Sequence, residues 1–187
     1  MAGSSPGVGV THFTVLLGNY MTGVMGRKTA VLEWNTSGAF GEIQEIYSTR
    51  TVTNRQDQTF ITYGVSYYKN AGRKELLECQ LRFDTVILDF GTYNGKVEEE
   101  LLRCDRKFFL GSFSEWRLRA FSEHISDKRV RDCGWEYFAA FGNKETAGMI
   151  KRFLKVQVSL IPWLPDAFVI KGEAMAFFER LLKYKRA

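Results

Sequence analysis

Near residue 97 the hydrophobic period of this chain changes. Upstream, in "TFITYGVSYY" (59–68), Phe60, Thr62, Gly64 and Ser66 would share one face of an extended strand, and Ile61, Tyr63, Val65 and Tyr67 the other. In "LECQLRFDTVILDF" (77–90) Leu77, Cys79, Leu81, Phe83, Thr85 and Ile87 share one parity, against Glu78, Gln80, Arg82 and Asp84. Such alternation predicts strands with one face in a core and one in water. Downstream, Val97, Leu101, Cys104 and Phe108 recur at spacings of four, three and four, the stripe of a helix. Acid in its first turn (Glu98, Glu99, Glu100) and base in its last turns (Arg103, Arg106, Lys107) both favour the helix dipole.

Further strands are expected over 11–17, 29–34, 42–52 and 76–90, set apart by turn-forming runs such as Asn35-Thr36-Ser37-Gly38 and Asn70-Ala71-Gly72. Strand character returns over 115–125, 134–141 and 153–161, with a short helix over 143–154. A C-terminal amphipathic helix carries Ala174, Phe177, Phe178, Leu181 and Leu182 on one side. No repeat, low-complexity block or Pro/Ser/Gly linker divides the chain. The expected fold is therefore one α+β domain over 11–187: a largely antiparallel sheet with a central helix and the C-terminal amphipathic helix. Residues 1–10, "MAGSSPGVGV", read as a flexible arm; they lack the basic start and apolar centre of a secretory signal.

The net charge of +5 is unevenly placed. Residues 1–95 hold eight Lys/Arg and eight Asp/Glu, whereas 96–187 hold 18 and 13. A basic second half suits an anionic partner: nucleic acid, acidic lipid headgroups or an acidic protein. The candidate cations are Lys151, Arg152, Lys155, Arg180, Lys183, Lys185 and Arg186, with Lys128, Arg129 and Arg131 as a third group among acids. Phe177, Phe178, Leu181 and Leu182 beside a basic end fit either a segment lying on an anionic membrane or a helix docked on the sheet.

Catalytic patterns are thin. "FTVLLGNYMTGVMGRKT" (13–29) looks like a phosphate loop, but Lys28 stands one place late after Gly26, and Met21 occupies the place of the first glycine. A hairpin between strands 11–17 and 29–34 accounts for its glycines. Cys79, Cys104 and Cys133 are odd in number and widely spaced, and His12 and His124 join no ligand cluster. No metal site or cofactor is expected. Cys104 and His124 would form a thiol–imidazole pair only if the fold joined them.

From Leu76 onward the expected order is strand, loop, helix (97–109), strands over 115–125, 134–141 and 153–161, and a terminal helix. This order resembles the core of rhabdovirus matrix proteins, particularly the short ones of plant-infecting members. The resemblance implies a non-enzymatic viral structural protein of the virion and of the host cytoplasm or inner membrane face. Such a protein would self-associate, bridge nucleoprotein or RNA to an anionic membrane, and use no small-molecule substrate. The chain departs from animal-virus members in having no PPxY motif and no lysine-rich arm. Alternatives are an RNA-binding accessory protein such as a silencing suppressor, a small viral coat protein, and an enzyme with an aromatic-lined pocket.

Overall fold

The computed structural model describes residues 1–48, 57–94, 98–127 and 134–183, and for Ser48, Glu98 and Lys183 the backbone alone. The chain forms two compact units, one of Met1–Val10 with Phe90–Trp163, the other of Thr11–Asp89 with Leu164–Ala187.

The first unit holds four strands in the order β1-β6-β7-β8: β1 (Ala2–Gly3), β6 (Lys107–Ser112), β7 (Trp135–Phe141) and β8 (Val158–Leu160). All three pairings are parallel. The segment after Asp89 lies along the other side of β1: Phe90 N donates to Met1 O, Gly3 N to Gly91 O and Tyr93 N to Gly3 O, each at 2.9 Å. Parallel neighbours need crossover connections. Helix α5 (Glu115–Ser126) joins β6 to β7, and α6 (Lys144–Leu154) joins β7 to β8. A short helix, α4 (Glu98–Leu102), precedes β6.

Helix α5 buries Phe121 and Ile125, four residues apart on one face. It packs unusually close to the sheet at Gly111, where a Cβ would stand 2.1 Å from Phe121 Cδ2. His124, on the same helix, stacks flat on Phe109 with ring centroids 3.5 Å apart, and edge-on to Tyr93. Its Nε2 is closed off from solvent and has no hydrogen-bond partner among the described residues. Burial holds its pKa down at about 4, against an opposing pull from Asp127. An unfolded histidine titrates near 6.5. Between those values the unfolded chain binds a proton that the folded chain does not. The stability present above about pH 6.5 is therefore lost as pH falls toward 4. Denaturant midpoints of the unaltered chain and of His124→Phe, compared at pH 7 and pH 4.5, should show a smaller fall in the variant.

The second unit holds β3-β4-β2-β5: β2 (Thr29–Glu33), β3 (Thr59–Thr62), β4 (Val65–Tyr68) and β5 (Thr85–Asp89). Here β2 runs parallel to both β4 and β5, and only the β3–β4 hairpin, turning at Tyr63-Gly64, is antiparallel. Helices α1 (Val10–Gly23), α2 (Ala39–Ser48), α3 (Arg73–Arg82) and α7 (Gly172–Lys183) complete it. Gly18 lets α1 approach the sheet, since a Cβ there would lie 2.9 Å from Val31 Cγ2. Phe13 and Tyr20 of α1 meet Phe178 of α7 at 5.7 and 4.9 Å between ring centroids.

The expected α+β, largely antiparallel sheet is thus overturned: in both units the strands are mainly parallel and linked by helices, an α/β arrangement. The segments misread as strands explain why. Residues 11–17 belong to α1, 42–48 to α2, 76–82 to α3 and 115–125 to α5. Leu77 and Leu81, counted as core by their parity, are exposed on α3, while Leu76 and Cys79, three apart, are buried. Of the expected helix over 97–109, Glu98–Leu102 is helical and 107–109 lie in β6, while Val97 lies outside the described residues.

Candidate functional site

Between β1 and α1 the chain runs Ser4-Ser5-Pro6-Gly7-Val8-Gly9. Gly7 has φ +72° and Gly9 φ +94°, both in the left-handed region that favours glycine. Left-handed residues interspersed in a loop bring neighbouring amides to one concave side, a setting for anions. The loop feeds directly into α1, whose first-turn amides have no intrahelical acceptor and whose dipole favours negative charge.

Against the phosphate-loop pattern GxxxxGK[ST], Gly9 and Thr11 stand in place. Ser4 takes the first glycine's position, and Val10 takes the lysine's. Pro6 contributes no amide donor. Val10 is buried, and it packs with Val8 against Gly3, where a Cβ would meet either Cγ2 at 2.6 Å. The hydroxyl oxygens of Ser4 and Ser5 are closed off from solvent and find no hydrogen-bond partner among the described residues. The loop offers amides, hydroxyls and a dipole, but no cation of its own.

Two carboxylates end neighbouring strands of the second unit: Glu33 on β2 pairs in register with Asp89 on β5, and both are buried. Glu33 accepts from Ser37 Oγ and Phe40 N, both at 3.2 Å, and from Asn70 N at 3.3 Å. It ties the strand end to the start of α2. The Asp89 carbonyl accepts from Trp34 N and Asn35 Nδ2. Carboxyl ends of parallel strands are where open α/β sheets place their ligands.

The residues expected to bind anions lie elsewhere. Lys151 and Arg152 are exposed on α6, Arg152 lies 5.6 Å from the Phe153 ring centroid, and exposed Lys155 caps the helix in a left-handed conformation. Arg180 is exposed on α7; Lys183 ends that helix, and Lys185 and Arg186 lie outside the described residues, as do Lys128, Arg129, Arg131 and Cys133. Phe177 and Phe178 are buried within the second unit, and Leu181 and Leu182 are half-buried. No helix among the described residues is long and apolar enough to cross a membrane.

Cys104 Sγ donates to Glu100 O at 3.4 Å, and burial raises its pKa, the reverse of an activated thiolate. Among the described residues no group of three His, Cys, Asp or Glu could hold a metal ion.

The stretch 13–29 is the body of α1 followed by the start of β2, not a hairpin. The phosphate-loop-like segment starts nine residues before it, at Ser4, within the expected flexible arm. The signals for it were Gly7-Val8-Gly9 and Thr11. They were masked by the missing lysine and by a two-residue β1.

No protein-family model and no curated protein matches this chain. Solved structures do. A putative plasmid partition protein of Borrelia burgdorferi bound to AMPPNP matches 97% of this chain and 95% of its own, with TM-score 0.67 and 13% identity. A ParA family ATPase from Chlorobium tepidum matches 100% of this chain and 90% of its own, with TM-score 0.62 and 14% identity. The MinD cell division protein of Aquifex aeolicus matches 88% and 81%, with TM-score 0.62 and 13% identity. At such identities the likeness shows the fold alone, the α/β fold that these three proteins share. It overturns the resemblance to rhabdovirus matrix proteins and the structural, non-enzymatic role drawn from it. It equally overturns a partner set without a small molecule, since one neighbour is named an ATPase and another holds AMPPNP.

Proposed function

We propose that this chain binds the phosphate chain of a nucleoside triphosphate at the loop between β1 and α1. The observation that carries the reading is the pair of left-handed glycines, Gly7 and Gly9, between a buried strand and the start of a helix. The likeness to a fold that has been solved with AMPPNP bound supports it. Binding here rests on backbone amides and the α1 dipole, which recognise phosphate whatever base it carries.

Equilibrium dialysis with ATP and magnesium tests the reading. Saturable binding is expected, with ADP weaker. Val10→Lys restores the cation of the pattern and should tighten ATP at least tenfold, since one charge-assisted contact contributes about 1.5–3 kcal/mol. Absence of saturable binding by both the unaltered chain and Val10→Lys would remove the proposal.

A further inference from the structure

With valine at the lysine position, the loop's own residues add no cation to its amides and the α1 dipole. A Cβ built on Gly7 would lie 3.1 Å from Arg117 Nη2, 3.4 Å from Nη1 and 3.7 Å from Cζ. The guanidinium is therefore laid along the glycine's bare face, in the first unit to which both residues belong. Gly7 is needed twice over, for its left-handed backbone and for the space the arginine fills.

Arg117 sits in the first turn of α5, directly after β6, and is half-buried. Its neighbours in the same unit are committed. Arg106 pairs with Glu136 at 2.6 Å, Arg103 with Glu99 at 2.7 Å and Arg119 with Glu123 at 2.8 Å. No carboxylate among the described residues pairs with Arg117. The half-buried guanidinium has no counter-ion among the described residues, and the loop it lies against holds two shielded hydroxyls, of Ser4 and Ser5, that have no hydrogen-bond partner among them. An anion with several oxygens would satisfy them together, and arginine's planar fork suits phosphate in two-point contact.

We infer that Arg117 replaces the loop lysine as the cation that binds the nucleotide's phosphates, reaching the loop from α5 across Gly7. The inference rests on the nucleotide-binding reading above and adds a residue to it. It also accounts for the apolar Val10: with the charge supplied from α5, that position is free to pack on Gly3.

The test measures ATP and inorganic tripolyphosphate binding to the full chain and to Arg117→Ala, Arg117→Met and Arg117→Lys. The methionine variant keeps an apolar stem over the loop, so loss of packing and loss of charge are separated; circular dichroism checks folding. Alanine and methionine should each weaken both ligands at least tenfold, and lysine should recover part of the loss. Val10→Lys added to Arg117→Met should restore binding, an effect that a purely structural arginine would not produce. If the methionine variant binds both ligands within twofold of the unaltered chain, Arg117 is not the phosphate cation, while nucleotide binding stands. Weakening of ATP but not of tripolyphosphate also overturns the inference, because the contact is then to base or sugar. If the unaltered chain binds neither ligand, both readings fall.

Discussion

Phe178→Ala should lower the unfolding free energy by about 3–5 kcal/mol, the range for removing a fully buried aromatic ring. Phe178 has no exposed surface. Its ring stacks on Phe13 at 5.7 Å, tilts against Tyr20 at 4.9 Å and meets Phe177 edge-on at 5.3 Å. The cavity left by alanine would be walled by helix α1 and by α7's own neighbouring side chain, neither of which can close it without moving a helix. Leu182→Ala, at a half-buried position of the same helix, should cost far less. Chemical denaturation of the two variants side by side checks this; equal losses would show that Phe178 does not anchor α7 to α1.

Gly111→Ala should be nearly as damaging, although it adds a single methyl group. That carbon would stand 2.1 Å from Phe121 Cδ2 and 2.4 Å from Cγ, well inside van der Waals contact. Phe121 is itself wholly buried and stacked near Phe109, so it has nowhere to retreat. The backbone must then move or the ring must leave its rotamer, and overpacking of this kind costs about 1–3 kcal/mol or more. Valine at this position should prevent folding of the first unit. A compensating pair, Gly111→Ala with Phe121→Leu, should be more stable than Gly111→Ala alone. Failure of that rescue in melting experiments would place the strain elsewhere.

The phosphate-loop candidate shows how a site can hide from pattern reading. A lysine after Gly9 would have marked the loop at once; the guanidinium that lies against Gly7 belongs instead to Arg117, more than a hundred residues along the chain. What identifies the loop is backbone conformation at Gly7 and Gly9, and glycine in a sequence does not say which sign of φ it takes. Conversely, the basic residues noticed for their number, Lys151, Arg152 and Lys155, are solvated at the end of α6. Counting charge found the cations but not the geometry that would make one of them a ligand contact.

Local chemistry alone was enough for several elements. The apolar run 29–34 contains β2, "GWEYFAAF" contains β7, the helix expected over 143–154 is α6, and the stripe from Ala174 to Leu182 lies on α7. In these segments side-chain spacing agrees with burial. Where they conflict, as at exposed Leu77 and Leu81 or along α5, two-residue alternation mimicked a strand because periodicity records only which residues are apolar. Parallel pairing was beyond its reach. Joining β6 to β7 or β2 to β5 depends on contacts between residues far apart in the chain, made only when intervening helices cross over and pack. The same long-range packing, and no local signal, carried Arg117 to the face of Gly7.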